Sequence, residues 1–346
     1  MLENNMFLIM DLHSQNGKLS GYYHYRMAIP GRKGGYVYGK LIPVEGEKVK
    51  NTIHFREVTN PDSRFTATMT GEDSLTGFWK RKTYQNDIHF SLYPDYNQGS
   101  VPMRCISSSS RERVVQEGVS TNKMPAATFE CHLLWPAGGP PMLQEQLGSI
   151  LFDFLLDSLG ALPQPPETIV GLTARDYFDR YHRLTEGIPN IEGLSSFNWT
   201  KKITSEVIFN HYNVLSLRFS KYAYTGGAHG IEISRFVCFN IKNGKQLKIS
   251  DLVPADSLIN LWKLAEHKLR QTNNISSHVK LSQAGFLVDH LPETDNFYLT
   301  SNGIHLYYNV YQIAPFSTGP VEIILEWDKI KELLKPGTLA DVFFRR

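Results

Sequence analysis

The sequence predicts a multi-domain, strand-rich protein: an N-terminal all-β barrel or sandwich, then α+β structure with a mostly antiparallel sheet and packed helices. Three observations carry this expectation. Short runs in the two-residue rhythm of half-buried strands follow one another from Phe7 to Tyr93, with no helical stretch between them. The first apolar helical face comes later, where Leu143, Leu147, Ile150, Leu151, Phe154 and Leu155 recur at helical spacing. After Asn198 strands and helices are segregated rather than strictly alternating, which argues against a parallel βαβ sheet.

Residues 1–96 form the first expected unit, a small all-β module. Strands are expected at 7–12, 21–26, 36–42, 52–58, 64–69, 76–80 and 87–93, each bounded by Gly, Pro, Asn or Asp, with a turn at 31–35. Tyr22, Tyr23, Tyr25, Tyr36 and Tyr38 cluster here, and cross-strand packing explains them more simply than a recognition surface. Residues 94–125 are polar and punctuated; they read as linker and loop, including Ser107 to Ser110, with one strand from Met103 to Ile106.

Residues 97–196 read as a companion α+β segment and 197–346 as a second α+β domain, the two forming one compact unit. A strand at 128–135 precedes the helix of Leu143 to Leu155, which Pro163 and Pro165 close off. Thr173, with Asp176 three residues on, has the capping-box pattern of a second helix that carries Tyr177, Phe178, Tyr181 and Leu184 inward. Strands at 199–209 and 214–222 flank a turn at His211, Tyr212 and Asn213, and a strand at 231–241 ends at the turn dipeptide Asn243, Gly244. A helix after Asp251 presents Leu258, Leu261, Trp262, Ala265 and Leu269 on one face. Strands at 297–300, 304–311 and 321–326 follow, then a closing helix from Asp328 with Ile330, Leu333 and Leu334 inward, stopped at Pro336.

Composition narrows the function classes. With 41% hydrophobic and 12% aromatic residues in 346, the chain has material for a real core and is not of the disordered type. A net charge of +2 provides no strong field for nucleic acid or an anionic membrane, so a partner has to be found by shape and local contacts. Cys105, Cys131 and Cys238 are too few for a disulfide framework or zinc site; buried free thiols are expected, with a Cys105–Cys131 bridge as the alternative. No apolar run reaches the ~20 residues of a membrane helix. The first residues lack signal-peptide character, and a strand beginning at Phe7 fits a chain whose export signal was removed or never included.

Blocks at 224–230, 243–252, 297–308 and 311–319 occur in an order that resembles the extracytoplasmic RsiV-like domain family of unknown function, over residues ~200–336 with its usual companion domain before it. That family occurs in the lysozyme-sensing anti-sigma factor RsiV and as an accessory domain of the deacetylase PdaC. The resemblance implies a sheet with packed helices, a place outside the cytoplasm (periplasm or cell surface), and a lysozyme-like protein or wall glycan as partner. It implies no catalytic residue in this domain, and the residues themselves lead to the expectation of no cofactor and no metal. Where the family commonly has Ala-Pro-Tyr, this sequence has Ala314, Pro315 and Phe316, one hydroxyl fewer.

The stretch at 222–230 concentrates the candidate binding residues Tyr222, Tyr224, Thr225, Gly226, Gly227, His229 and Gly230, and Tyr311, Pro315 and Phe316 are their expected companions. His229 reads as part of a structural turn, as a binding-surface residue, or as a base or metal ligand. Its nearest acids in the chain, Glu232 and Asp251, fall at no recognised ligand spacing, and Gly226 and Gly227 lack the Lys and Ser/Thr of a phosphate-binding loop. His211, His229 and His305 would converge if their strands were neighbours, although nothing in their spacing requires it. Alternation assigns Tyr307 and Tyr311 to one strand face and Tyr308 to the other. The resulting expectation is a non-enzymatic cell-envelope binding protein; the alternative is a cell-wall-directed hydrolase with its site around His229.

Overall fold

The computed structural model describes residues 6–343 apart from 16, 29–35, 40, 72–73, 82–85, 97–98, 116–122 and 157–163. The turn expected at 31–35 and Pro163 therefore lie outside the described residues. The N-terminal strands are β1 (Met6–Gln15), β2 (Lys18–Ala28), β3 (Tyr36–Tyr38), β4 (Ile42–Val49), β5 (Thr52–Glu57), β6 (Arg64–Thr70), β7 (Ser74–Lys80) and β8 (Ile88–Leu92). They form one antiparallel meander, in the order β1-β2-β4-β5-β6-β7-β8 with β3 beside β2, and it curves into a half-barrel, consistent with the expected all-β module. Alternation explains the burial. Ile53, Phe55, Phe65, Ala67, Leu75 and Trp79 fill one face, with Phe55 and Phe65 stacked at 4.5 Å, while His54, Arg56 and Thr66 face away. Tyr22 and Tyr23 divide in the same way. Tyr23 is fully buried and donates to buried Glu57 at 2.5 Å, Ser63 donates to the same oxygen at 2.5 Å, and Trp79 Nε1 donates to Ser63 at 2.7 Å. Hydroxyls thus satisfy a carboxylate inside an aromatic core.

The central sheet runs β13-β12-β11-β10-β9 in space: β9 (Met103–Arg113), β10 (Ala126–Pro136), β11 (Trp199–His211), β12 (Val214–Tyr224) and β13 (Ile231–Asn240). β10 and β11 are parallel and every other pair is antiparallel. Sequence led to a strand of Met103 to Ile106 followed by loop, but β9 continues through Ser107–Ser110 to Arg113, because β10 supplies a continuous ladder to an otherwise weak strand former. The same register places Cys105 opposite Leu134 and Cys131 opposite Ser108, on different faces, so no bridge forms and all three cysteines are free. Burial pushes the Cys131 and Cys238 thiols up to about 12.

Helices α1 (Pro141–Leu156) and α2 (Pro166–Thr185) cover one face of this sheet, where Phe129, Leu133, Ile203, Leu217 and Phe219 are buried. α2 begins a full two turns earlier than the expected cap. Pro166 opens it in the first turn, and Thr173 lies inside it with its hydroxyl on the Ile169 carbonyl at 2.7 Å. Tyr177, Phe178 and Tyr181 face inward as expected, but Leu184 is exposed. The turn at Tyr212 and Asn213 takes left-handed φ of 54 and 64, the geometry of a tight hairpin.

On the opposite face, a register shift between Val207 and Phe209 turns Phe209 toward a second core. That core is built by α3 (Ile249–Leu252), α4 (Ala255–Thr272), the small antiparallel sheet β14 (Phe297–Thr300), β15 (Gly303–Tyr308) and β16 (Val321–Glu326), and the short α5 (Trp327–Ile330). Leu261, Ala265 and Leu269 of α4 are buried there. The rest of this face looks toward the half-barrel. Tyr22 donates to Glu206 at 3.0 Å, Arg26 donates to Tyr212 at 3.2 Å, and His24 packs 5.8 Å from Phe209.

Candidate functional site

β12 ends at Tyr224 and β13 starts at Ile231, so residues 225–230 form the loop joining two paired strands. Gly226 and Gly227 take φ of 92 and 104, which a residue with Cβ adopts only under strain. Gly230 is required for a second reason: a Cβ there would lie 2.2 Å from the Tyr222 hydroxyl, because the Tyr222 ring rests against it. Tyr224 donates to the Gly227 carbonyl at 3.3 Å, so both tyrosines are half-buried braces of the loop, and Thr225 and His229 are exposed.

The second segment meets the first. β15 ends at Tyr308, so Tyr311 does not continue the strand as expected; it occupies a turn with φ 65, closed by its amide on the Ala314 carbonyl at 3.1 Å. Tyr308 is buried, and Tyr307 packs on Phe236 at 4.8 Å. Pro315 precedes the short 3-10 turn Phe316–Thr318, and this turn presents Phe316 to His229: the rings stack at 4.0 Å and 17°. Tyr311 stacks on Phe316 at 5.7 Å. Tyr311 at 52% and Phe316 at 37% exposure leave an aromatic surface open to solvent.

His229 has no orienting acid in its two neighbours along the chain. Glu232 pairs with Arg218 at 2.8 Å, and Asp251 accepts from the Lys248 amide at 2.8 Å. The His229 Nδ1 instead lies 3.0 Å from the Gly230 carbonyl. The three histidines do not converge. His211 packs on Tyr212, His229 on Phe316, and His305 on Tyr298. Among the described residues, no group of three or more His, Cys, Asp or Glu is placed to hold a metal ion.

A polar junction absent from the sequence reading lies where the three sheets meet. Arg218 bridges Glu206 at 3.6 Å and Glu232 at 2.8 Å and donates to Ser234 at 3.0 Å, while Tyr22 reaches Glu206 from the half-barrel. Burial works against the Arg218 charge, but Glu206, Tyr307, Glu232 and Tyr22 outweigh it and raise its pKa. Next to it, Glu322 accepts from His305 Nδ1 at 2.8 Å and from Tyr298. Burial alone would raise the Glu322 carboxyl; the His305 and Tyr298 hydrogen bonds bring it below the usual range. The signal for Arg218 was faint: a charged residue alternating with apolar ones in a strand reads as solvent-facing.

Residues 250–328 match a family described as a protein of unknown function, DUF3298, and residues 189–232 match one described as deacetylase PdaC. The peptidoglycan-N-acetylmuramic acid deacetylase PdaC of Bacillus subtilis (strain 168) is 28% identical over 132 residues, 36% of this chain and 27% of that protein. The chain therefore spans about a quarter of that relative's length. A crystal structure of a DUF3298 family member from Bacteroides fragilis NCTC 9343 shares 24% identity, 72% of this chain, 100% of its own and a TM-score of 0.58, a likeness of fold. A DUF3298 family protein from Pseudomonas aeruginosa PAO1 shares 20% identity over 69% of this chain and 96% of its own, with a TM-score of 0.49. The expected likeness thus holds at the level of DUF3298 and PdaC-related regions. His229 lies in the PdaC-related region and Phe316 and Tyr311 in the DUF3298 region, so the exposed stack joins the two.

Proposed function

We propose that this chain is a non-enzymatic binding protein of the bacterial cell envelope, with the loop at 222–230 and the segment at 311–319 as its recognition edge. A single observation carries the reading: His229, Phe316 and Tyr311 stack at the surface, held there by left-handed glycines and a left-handed tyrosine rather than by core packing. Solvent-exposed aromatic surface of this kind anchors interfaces. The similarity to PdaC, whose name places its action on peptidoglycan, supports the envelope as the location. No helix among the described residues is long and apolar enough to cross a membrane. The partner classes are a lysozyme-like protein and a wall glycan.

Calorimetric titration against lysozyme and against solubilised wall fragments tests the proposal. Heat with at least one of them, lost in Phe316→Ala, is the expected result; no heat with either would count against it. The alternative, a wall-directed hydrolase around His229, requires wall-degrading activity that disappears in His229→Ala while the fold is kept. The lack of an acid oriented on His229 from Glu232 or Asp251 makes it the weaker reading.

A further inference from the structure

A cleft of about 1480 Å³ lies between the half-barrel and the central sheet, and the stacked edge does not account for it. It exists because two polar sheet faces oppose one another. The half-barrel has its apolar residues on the other side, and the central sheet buries its own against α1 and α2. A band across β1, β2, β4, β5 and β6 forms one wall, and the polar face of β10 to β13 forms the floor.

Three properties identify the occupant. The cleft is open and exceeds the roughly 300–1,000 Å³ of a pocket that encloses a small molecule, so it suits a stretch of a longer chain. Its lysines and arginines are matched in number by glutamates, and several neutralise one another directly: Arg56 with Glu45 at 2.8 Å, and Arg218 with Glu206 and Glu232. A trough so balanced has no field to hold a polyanion or polycation. Between these charges the floor also carries the hydroxyls of Thr204 and Tyr222.

The cleft also leads to the aromatic edge. Tyr222 and Glu232 line it, and the Tyr222 ring rests against Gly230, next to the stacked His229. A hydroxyl-lined trough that continues into flat exposed rings fits sugar rings, whose C–H faces lie on aromatics while their rim hydroxyls and amides alternate as donors and acceptors. We propose that the cleft and the stack together bind a linear, net-neutral oligosaccharide. This rests on the binding-protein reading above and narrows its ligand to a glycan; a protein partner is then an outcome of the test.

The test titrates the full chain with tetra-N-acetylchitotetraose, with its cationic de-N-acetylated form and with an anionic galacturonate tetramer, by calorimetry and by NMR shift changes. The neutral tetramer should bind at least about tenfold more tightly than either charged one. Thr204→Trp, which fills the trough, and Tyr222→Phe, which removes one hydroxyl and keeps the ring, should both weaken it, the first by about tenfold or more. Tyr222→Phe keeps the test valid if Thr204→Trp fails to fold. No binding of the neutral tetramer, a preference for a charged one, or binding indifferent to both variants overturns the inference. If lysozyme binds and Phe316→Ala abolishes that binding while no tetramer binds, the glycan cleft falls and the binding-protein reading stands. If neither lysozyme, wall fragments nor tetramer binds, both fall.

Discussion

His305 and His229 sit in opposite circumstances, although both are histidines stacked on an aromatic ring. His305 is 6% exposed, with Nδ1 on Glu322 at 2.8 Å and Nε2 on the Thr300 hydroxyl at 3.0 Å. Read as connectivity alone, hydroxyl, imidazole and carboxylate form the relay of a nucleophilic enzyme. Thr300 is fully buried, however, and its single proton goes to Asn302, so no substrate reaches its oxygen and the cluster holds β14, β15 and β16 together. His229 is exposed and has no such relay. The lesson is that a chemically complete constellation is structural when its reacting atom is sealed, and that an exposed imidazole without a relay belongs to a surface.

The largest effect that would sharpen this contrast is on stability. His305→Ala leaves Glu322 and Thr300 without their shared partner and should cost about 2–3 kcal/mol in urea unfolding. A loss under about 0.5 kcal/mol would place His305 among ordinary surface residues and break the comparison.

Acid should act on other buried histidines in the same direction. Burial holds His24 at about 3, helped by the charges of His211 and Arg26, and holds His211 and His13 at about 4, below the 6.5 of a free imidazole. Between those values the unfolded chain binds the extra protons, so their contribution is present above about 6.5 and is lost as pH falls. Asp11 opposes them. Burial raises it to about 7 from 3.8, so the folded chain takes its proton first and gains stability as pH falls through that window. The imidazoles outnumber the carboxyl, and the melting temperature should fall by about 5 °C from pH 7 to pH 5. Asp11→Asn should deepen that fall, and a flat profile in both proteins would show that these groups titrate normally.

How much of this was legible in sequence depended on distance along the chain. Alternation at Ile53, Phe55, Phe65 and Ala67, and the spacing of Leu143, Leu147, Leu151 and Leu155, are local signals, and each placed its residues in a core. The loop at 222–230 announced itself through glycines whose left-handed φ is also a local demand. The serine run of β9 misled because its strand is imposed by β10, a tertiary neighbour. The start of α2 was recoverable from Pro166, since proline favours the first helical turn. The junction of Tyr22, Glu206 and Arg218 was not recoverable. Its members come from two sheets, and alternation reports only that each points away from its own apolar face.

At the aromatic edge the contrast reverses, with binding affected and stability little changed. Phe316 touches both His229 and Tyr311, so Phe316→Ala removes the centre of the stack and should weaken partner binding by about tenfold or more. Its cost in unfolding free energy should stay within about 1 kcal/mol, since the ring is not part of a core.

The smallest expected effect is the most discriminating. His229→Ala removes one exposed ring whose other tie is to the adjacent Gly230 carbonyl. Gly226, Gly227 and Tyr311 hold the two segments in place independently of that ring, so unfolding free energy should change by no more than about 0.5 kcal/mol. Binding should weaken by only a few-fold, because Phe316 and Tyr311 still stack. His229→Phe separates the remaining possibilities. If the ring acts as stacking surface, phenylalanine restores binding; if the nitrogen acts in chemistry or in a hydrogen bond to the ligand, it does not. Restoration by Phe would leave His229 as the exposed counterpart of His305, with its flat face rather than its proton as the functional part.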